Sequence, residues 1–193
     1  MHSLDETIIT IVSGLPRSGT SLMMSLLGSG GMPLLVDNIR QANEDNPRGY
    51  FEMERVKKLQ EDQSWLPSAQ GKAVKIISAL LMKLPADYQY KIIFMRRAMQ
   101  EILASQRQML IRRGQATDTV NDAAMALSFE RHLQHVERWL AQQVNMRVLY
   151  VDYAALIQFP AEGVHMVNTF TSGRLNEQQM MTVIDPSLHR QRS

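Results

Sequence analysis

A short segment near the amino terminus, GLPRSGTS (Gly14 to Ser21), combines two glycines, three hydroxyl side chains and one arginine between two apolar runs. A glycine-bearing turn between a strand and a helix directs successive backbone N–H groups at one point, where the helix dipole also favours negative charge. The hydroxyls and the planar guanidinium of Arg17 suit paired phosphate oxygens. The segment therefore predicts a phosphate-binding loop.

This loop departs at one position from the pattern of nucleotide-hydrolysing loops, G-x-x-x-x-G-K-[ST]. Gly14 and Gly19 keep the spacing, but Thr20 stands where the lysine that reaches the β- and γ-phosphates belongs. The cation lies inside the loop instead, at Arg17. Such a loop suits one terminal phosphate better than a triphosphate with magnesium.

A phosphate-binding loop of this kind needs a strand before it and a helix after it, so we expect strands and helices to alternate along the chain. Four apolar runs, 8–12, 73–77, 91–95 and 147–151, predict buried strands. Segments of helical period predict helices over 21–28, 98–114 and 119–143, with Asp118 as a candidate cap of the last. The alternation predicts an α/β fold of P-loop type with three layers, in which helices flank a central parallel sheet of about four to five strands. Loops are expected at 28–33, 43–50 and 67–71, and after Phe170.

The loop and a second motif together resemble the sulfotransferases that use 3′-phosphoadenosine 5′-phosphosulfate (PAPS). The PRSGTS segment is similar to the family's 5′-phosphosulfate loop, in which Lys or Arg occupies the Arg17 position. MRRAMQEILASQ resembles its 3′-phosphate motif, where an Arg at a strand end precedes a helical Ser by eight residues, as Arg97 precedes Ser105. The segments NPRGYFE, LYVDYAALIQFP and DPSLHRQR extend the resemblance, and in the last of them Arg190 or Arg192 is a candidate nucleotide contact.

The register of the 3′-phosphate arginine stays open between two neighbours. The family usually has a proline two residues after this Arg and an acid four residues after it. Counting from Arg97 gives Met99 and Glu101, and counting from Arg96 gives Ala98 and Gln100. Either guanidinium therefore fits the motif.

The resemblance implies that PAPS is the co-substrate and that both motifs hold it. The implied nucleotide-binding residues are Pro16, Arg17, Ser18, Gly19, Thr20, Ser21, Arg96, Arg97 and Ser105.

Sulfuryl transfer is an in-line displacement, in which an acceptor oxygen attacks sulfur while the 5′-phosphate leaves with negative charge. Arg17 and the loop amides are placed to stabilise that charge. The resemblance implies Lys75 as a further cation, as in parts of the family. One branch of the family takes its base about twenty residues beyond the loop, which implies Asp37, with Glu44, Asp45 and Glu52 as rivals. The chemistry requires no metal.

Composition limits the other classes of function. The 193 residues fit one domain, 1–193, and the net charge of +2 without a Lys/Arg run argues against a nucleic-acid surface. The chain has no cysteine, and its first apolar run is too short for a signal peptide or membrane span. We therefore expect a cytoplasmic protein, and the resemblance implies an enzyme that acts on a small-molecule or carbohydrate acceptor. His132 and His135 lie three residues apart on a predicted helix but lack a third ligand, so we expect no metal site.

Two other functions remain open on the sequence alone. A P-loop kinase or nucleotidase for a small molecule would bind ATP with magnesium, and the missing loop lysine counts against it. A non-catalytic nucleotide-binding module would keep the loop but lack the base and the acceptor pocket. Neither the acceptor nor the oligomeric state follows from the residues.

Overall fold

A computed structural model describes residues 7–37, 39, 49–115, 121–171 and 173–185. Its sheet consists of four parallel strands, β1 (Ile9–Gly14), β2 (Ala73–Lys75), β3 (Tyr90–Arg96) and β4 (Met146–Asp152). All four predicted strands are confirmed, and with them the parallel α/β fold. In space the strands lie in the order β2-β1-β3-β4.

The register brings the carboxyl ends of the strands to one edge of the sheet. Gly14 pairs with Met95 and Arg96 pairs with Asp152, while Lys75 pairs with Val12. The chain leaves β1 for β2 on one side and then returns to β3 on the other. Ligands of open parallel sheets bind outside the carboxyl ends at such a reversal of strand order, and the predicted phosphate loop lies there.

Helices cover both faces of the sheet. They are α1 (Thr20–Ser29), α2 (Leu66–Ala69), α3 (Met99–Arg112), α4 (Asp122–Leu140), α5 (Tyr153–Gln158), α6 (Pro160–Thr171) and α7 (Glu177–Thr182), with 3-10 helices at Glu54–Lys58 and Ser78–Lys83. The three predicted helices are confirmed as α1, α3 and α4.

Two expected loops contain helices instead. The loop expected at 67–71 overlaps α2, where Pro67 falls in the first turn, a position at which proline is pre-organised for a helix. The tail expected after Phe170 contains α7, which Asn176 caps by accepting a hydrogen bond from the backbone N of Gln179. The cap of α4 is Asn121, whose side chain accepts from the backbone N of Ala123, and Asp118 lies outside the described residues.

The alternation of side chains along the strands separates two cores. Ile9 and Ile11 of β1 pack on the face covered by Val136 and Leu140 of α4. Val12, one residue on, packs on the opposite face, which Met23 and Met24 of α1 and Val164 and Val167 of α6 cover. The loop therefore leaves β1 between two packed layers, which fix its position at the sheet edge.

Candidate functional site

The predicted loop begins at the end of β1 with a glycine that no other residue can replace without a clash. Gly14 has φ 146°, and a Cβ there would lie 2.5 Å from Ser18 Oγ and 2.7 Å from the Met95 carbonyl oxygen. Ser18 is buried, and its hydroxyl donates to the Leu15 carbonyl at 2.7 Å. Glycine geometry and the Ser18 hydrogen bond thus fold the loop back on itself.

At its other end the loop enters α1 through Gly19. This residue has φ 101°, and a Cβ there would lie 2.4 Å from the ring of Tyr153, the first residue of α5. Among the described residues no side chain caps α1, and its first turn carries no acid. The N–H groups of that turn are therefore available to an anion, and the helix dipole favours one there.

Arg17 reaches from the loop to the second motif. Its backbone is left-handed, with φ 70°, and its Nε donates a 2.9 Å hydrogen bond to Ser105 Oγ on α3. A non-glycine residue in this conformation is uncommon, and such strain persists where the surroundings fix it. The contact places the side chains predicted for the two phosphate sites beside each other.

Arg97 is buried behind the loop and held from three directions. Its Nη1 donates to the Arg17 carbonyl at 3.1 Å, and its Nε donates to Glu101 Oε2 at 2.7 Å. Its guanidinium carbon lies 4.4 Å from the centre of the Tyr153 ring. The side chains of Arg97 and Glu101 are only 8% and 5% exposed. This buried ion pair therefore holds the guanidinium in one position, unlike a surface ion pair.

Arg96 points elsewhere, because successive side chains at a strand end face opposite ways. Its Nη2 donates to Glu137 Oε1 of α4 at 2.8 Å, and its guanidinium carbon lies 4.0 Å above the Tyr150 ring. The Arg96 side chain is 48% exposed. The two arginines therefore lie on different sides of the strand end, and the choice between them for a 3′-phosphate stays a prediction.

Lys75 joins the end of β2 to the same loop. Its buried ammonium donates to the Tyr50 carbonyl and lies 3.4 Å from Ser21 Oγ and 3.3 Å from Glu52 Oε1. Ser21, in the first turn of α1, is in turn 3.5 Å from the Tyr50 carbonyl. A cation, a carboxylate and a loop hydroxyl thus meet on the β2 side of the site.

Asp37 engages backbone amides. Its Oδ2 accepts from the backbone N of Glu54 at 2.5 Å and its Oδ1 from that of Ile39 at 3.1 Å. The first bond lies at the start of the 3-10 helix Glu54–Lys58, and the second is a local bond to the amide two residues further on, a common use of aspartate. The role of Asp37 as a base stays a prediction. The rivals Glu44 and Asp45 lie outside the described residues, as do Arg190 and Arg192.

Burial raises the pKa of the Tyr153 hydroxyl above its usual value, an effect that the nearby Arg97 partly opposes. Tyr153 therefore carries its proton at neutral pH, and its ring supports both Gly19 and Arg97. The sequence pointed to this residue only through the segment LYVDYAALIQFP. Its role as a support depends on packing between α5 and the loop, which local sequence does not reveal.

Sequence reasoning also missed a polar contact at the same sheet edge. Ser78 Oγ lies 2.9 Å from His132 Nε2, joining the residue three positions beyond β2 to α4. Burial lowers the pKa of His132, and the neighbouring His135 adds to this effect.

Within the described part of the chain, metal-ligating side chains form no group of three or more. No helix in the same ranges is long and apolar enough to cross a membrane.

Known proteins resemble this chain in sequence pattern and in fold. A family model described as the sulfotransferase domain matches residues 8–189. A comparison with curated proteins by sequence finds no match.

Several solved structures share the fold. The sulfotransferase domain of the olefin synthase of Synechococcus PCC 7002 is 13% identical, with 100% of this chain and 86% of that chain covered and a TM-score of 0.54. Sulfotransferase STF1 of Mycobacterium tuberculosis H37Rv is 18% identical, with 91% of this chain and 71% of that chain covered and a TM-score of 0.59. A retinol dehydratase in complex with androsterone and the inactive cofactor PAP is 15% identical, with 97% of this chain and 65% of that chain covered and a TM-score of 0.51.

Proposed function

Because this chain belongs to the sulfotransferase domain family, we propose that it transfers a sulfuryl group from PAPS to a hydroxyl or amine of a small-molecule or carbohydrate acceptor. The observation that carries the proposal is the 2.9 Å contact between Arg17 and Ser105. It joins a loop suited to a 5′-phosphate to a helix suited to a second phosphate. A nucleotide phosphorylated at both the 3′ and 5′ positions fits such a pair of sites.

The 5′-phosphate would lie on the loop. The residues from Pro16 to Ser21 would supply backbone N–H groups and hydroxyls, and the α1 dipole would add to their attraction for negative charge. Arg17 would stabilise the charge that develops on this phosphate as sulfur departs. Arg17 and Ser105 would then exchange their mutual hydrogen bond for contacts to the nucleotide.

The 3′-phosphate would lie against Arg97 and Ser105. Glu101 and Tyr153 already orient the guanidinium of Arg97, so little side-chain freedom is lost when the phosphate binds. Arg96 is the weaker candidate, since Glu137 and Tyr150 hold it on the α4 side.

The reaction would proceed by in-line displacement. The acceptor oxygen or nitrogen forms a bond to sulfur while the bond between sulfur and the bridging oxygen of the nucleotide breaks. The bridging electron pair leaves with PAP, and the acceptor proton passes to a base. Lys75, on the loop side of β2, would stabilise the transferring sulfuryl group or the leaving oxygen.

For the base we propose Glu52 ahead of Asp37. Glu52 lies 3.3 Å from Lys75, whereas the two oxygens of Asp37 accept hydrogen bonds from backbone amides. A base must come within hydrogen-bond reach of the acceptor, and the Lys75 contact brings Glu52 to the reacting end of the loop. PAPS would act as a co-substrate without a metal, in the cytoplasm.

Turnover tests the proposal directly. Purified protein is incubated with PAPS and a panel of hydroxyl and amine compounds, and formation of PAP is followed together with the sulfated product. Acceptor-dependent PAP formation supports sulfuryl transfer. Binding of PAP without turnover on any acceptor would instead favour a non-catalytic nucleotide-binding module.

A further inference from the structure

Resting on the proposed function, we propose that the Ser78–His132 pair forms the acceptor-binding point of this site and that it selects a neutral hydroxyl compound with an apolar body. His132 would contact the acceptor hydroxyl, and Ser78 would hold the imidazole in place. Nothing in the phosphate sites requires either residue.

The order of the strands determines where the acceptor must enter. The loop at the end of β1 takes the 5′-phosphate, and Arg97 at the end of β3 with Ser105 takes the 3′-phosphate. The nucleotide therefore extends from β1 toward β3, and its sulfuryl end faces the other neighbour of β1, which is β2. In-line attack on sulfur must come from beyond that end, where Lys75, Ile77 and Ser78 lie.

Helix α4 is the wall that covers this entrance. It ends at Leu140, close before the start of β4, so it runs antiparallel to the strands. Its contacts with the carboxyl edge are Glu137 to Arg96 and His132 to Ser78. Residues before His132 therefore extend past the sheet edge, above the place where the acceptor would bind.

His132 is suited to a neutral hydroxyl group. Ser78, only 1% exposed, occupies its Nε2, so Nδ1 is the remaining hydrogen-bonding atom of the ring. Burial lowers the pKa of His132 below the ordinary histidine value, and the neighbouring His135, one turn along α4, adds to this effect, so the His132 ring is neutral at pH 7. The element packed against the ring contributes an uncharged hydroxyl, that of Ser78. A neutral imidazole can accept a proton or donate one in a hydrogen bond to a hydroxyl, and it offers no charge to an ionic acceptor.

Apolar residues lie next to the pair along both chain segments. Ile77, between Lys75 and Ser78, is 44% exposed although it follows a buried strand. On α4, Met125 and Phe129 precede His132 at helical spacing on one face and are half-buried. These side chains would favour an alcohol or phenol over a sugar, whose body is polar.

Histidine NMR tests the position of His132 even while the acceptor is unidentified. The full chain is labelled at its five histidines, and the resonances of His132 and His135 are assigned from His132→Gln and His135→Gln. PAPS and PAP differ only in the sulfuryl group, so we expect His132 to shift differently in the two complexes and His135 to shift alike. Identical His132 resonances in both complexes would overturn the proposal. If neither nucleotide binds, the proposed function fails as well.

Phenol and glucosamine then test the class of acceptor. Phenol added to the PAP complex should shift the His132 resonances in a saturable way, and glucosamine should not. Ser78→Ala, which frees the ring, should weaken phenol binding at least tenfold while the affinity for PAP stays within twofold. Saturable binding of glucosamine but not of phenol, or phenol binding that Ser78→Ala leaves unchanged, would contradict the proposal.

Discussion

Arg17 Nε and Ser105 Oγ lie 2.9 Å apart although 88 positions separate them in the sequence. Arg17 belongs to the loop after β1, and Ser105 belongs to α3 after β3. Because β1 and β3 are adjacent parallel strands, their carboxyl ends bring the two segments together. The contact is thus a product of topology, and it makes the two proposed phosphate sites neighbours in one groove.

Arg17→Ala should weaken PAP binding roughly 10- to 100-fold, since a hydrogen bond to a charged group contributes about 1.5–3 kcal/mol. Arg147→Ala is the matched control, because Arg147 is exposed near the amino end of β4, away from the loop. Isothermal titration calorimetry measures both variants. Equal affinities for PAP would show that the loop arginine does not contact the nucleotide.

Arg97 and Arg96 form a natural pair for testing the 3′-phosphate site. Arg97→Ala alone removes the guanidinium that pairs with the buried Glu101 carboxylate at 2.7 Å, and breaking a buried ion pair from one side costs about 3–5 kcal/mol of folding stability. The variant used for binding is therefore Arg97→Ala with Glu101→Gln. We expect this double variant to lose its preference for PAP over AMP and Arg96→Ala to keep it. The reverse result would move the site to Arg96.

The two candidate bases can be separated by amide substitutions. Glu52→Gln should lower kcat by roughly 10²- to 10⁴-fold, the usual contribution of a general base, while PAP binding persists. Asp37→Asn should leave kcat within a few fold, because Asp37 holds backbone amides. Initial rates with the best acceptor of the panel give kcat for both variants. A large fall in kcat in Asp37→Asn alone would identify Asp37 as the base instead.

Gly19→Ala should destabilise the fold and the loop through contact with the Tyr153 ring. Its matched control is Gly31→Ala, since Gly31 has a similar φ of 98° but, among the residues that the structure describes, no atom lies within 4 Å of the position that a Cβ would take. Urea unfolding should show a larger loss for Gly19→Ala, because both variants share the cost of a positive φ and only one adds the clash. Equal losses would mean that Tyr153 does not support the loop.

His132 should contribute a pH dependence to stability. Its folded-state pKa is lowered, so the unfolded chain binds more protons as the pH falls below about 6.5, the ordinary histidine value. The stability associated with the neutral ring is present above that pH and declines below it. His132→Gln should therefore flatten the fall in the urea midpoint between about pH 7.5 and about pH 5.5, roughly one unit either side of the ordinary histidine pKa. His135→Gln should retain most of that fall, because burial is the larger cause of the lowered His132 pKa, and equal pH profiles for the two variants would contradict the assignment to His132.

The sheet and the loop were predictable because their signals are local. Runs of β-branched residues fixed the four strands, and the glycine spacing of Gly14 and Gly19 fixed the turn. Short helices such as α2 and α7 were missed, since segments of four to six residues carry too little periodicity to stand out.

The partners within the site were less predictable, because they depend on which elements pack together. The spacing of Arg97 and Ser105 was visible in sequence, but the different contacts of Arg96 and Arg97, on which the proposal of Arg97 rests, depend on the direction of each side chain at the end of β3. Lys75 was predicted, yet its contact with Glu52 requires a segment 23 positions earlier to fold back on β2. Sequence distance alone instead favoured Asp37.

Calorimetric titration with PAP, against AMP and against ATP with magnesium, is the most direct test of a site built for a nucleotide with two separate phosphates. We predict tight binding of PAP, with AMP and ATP at least tenfold weaker. A preference for ATP with magnesium, or equal binding of PAP and AMP, would contradict the paired sites at Arg17 and Arg97.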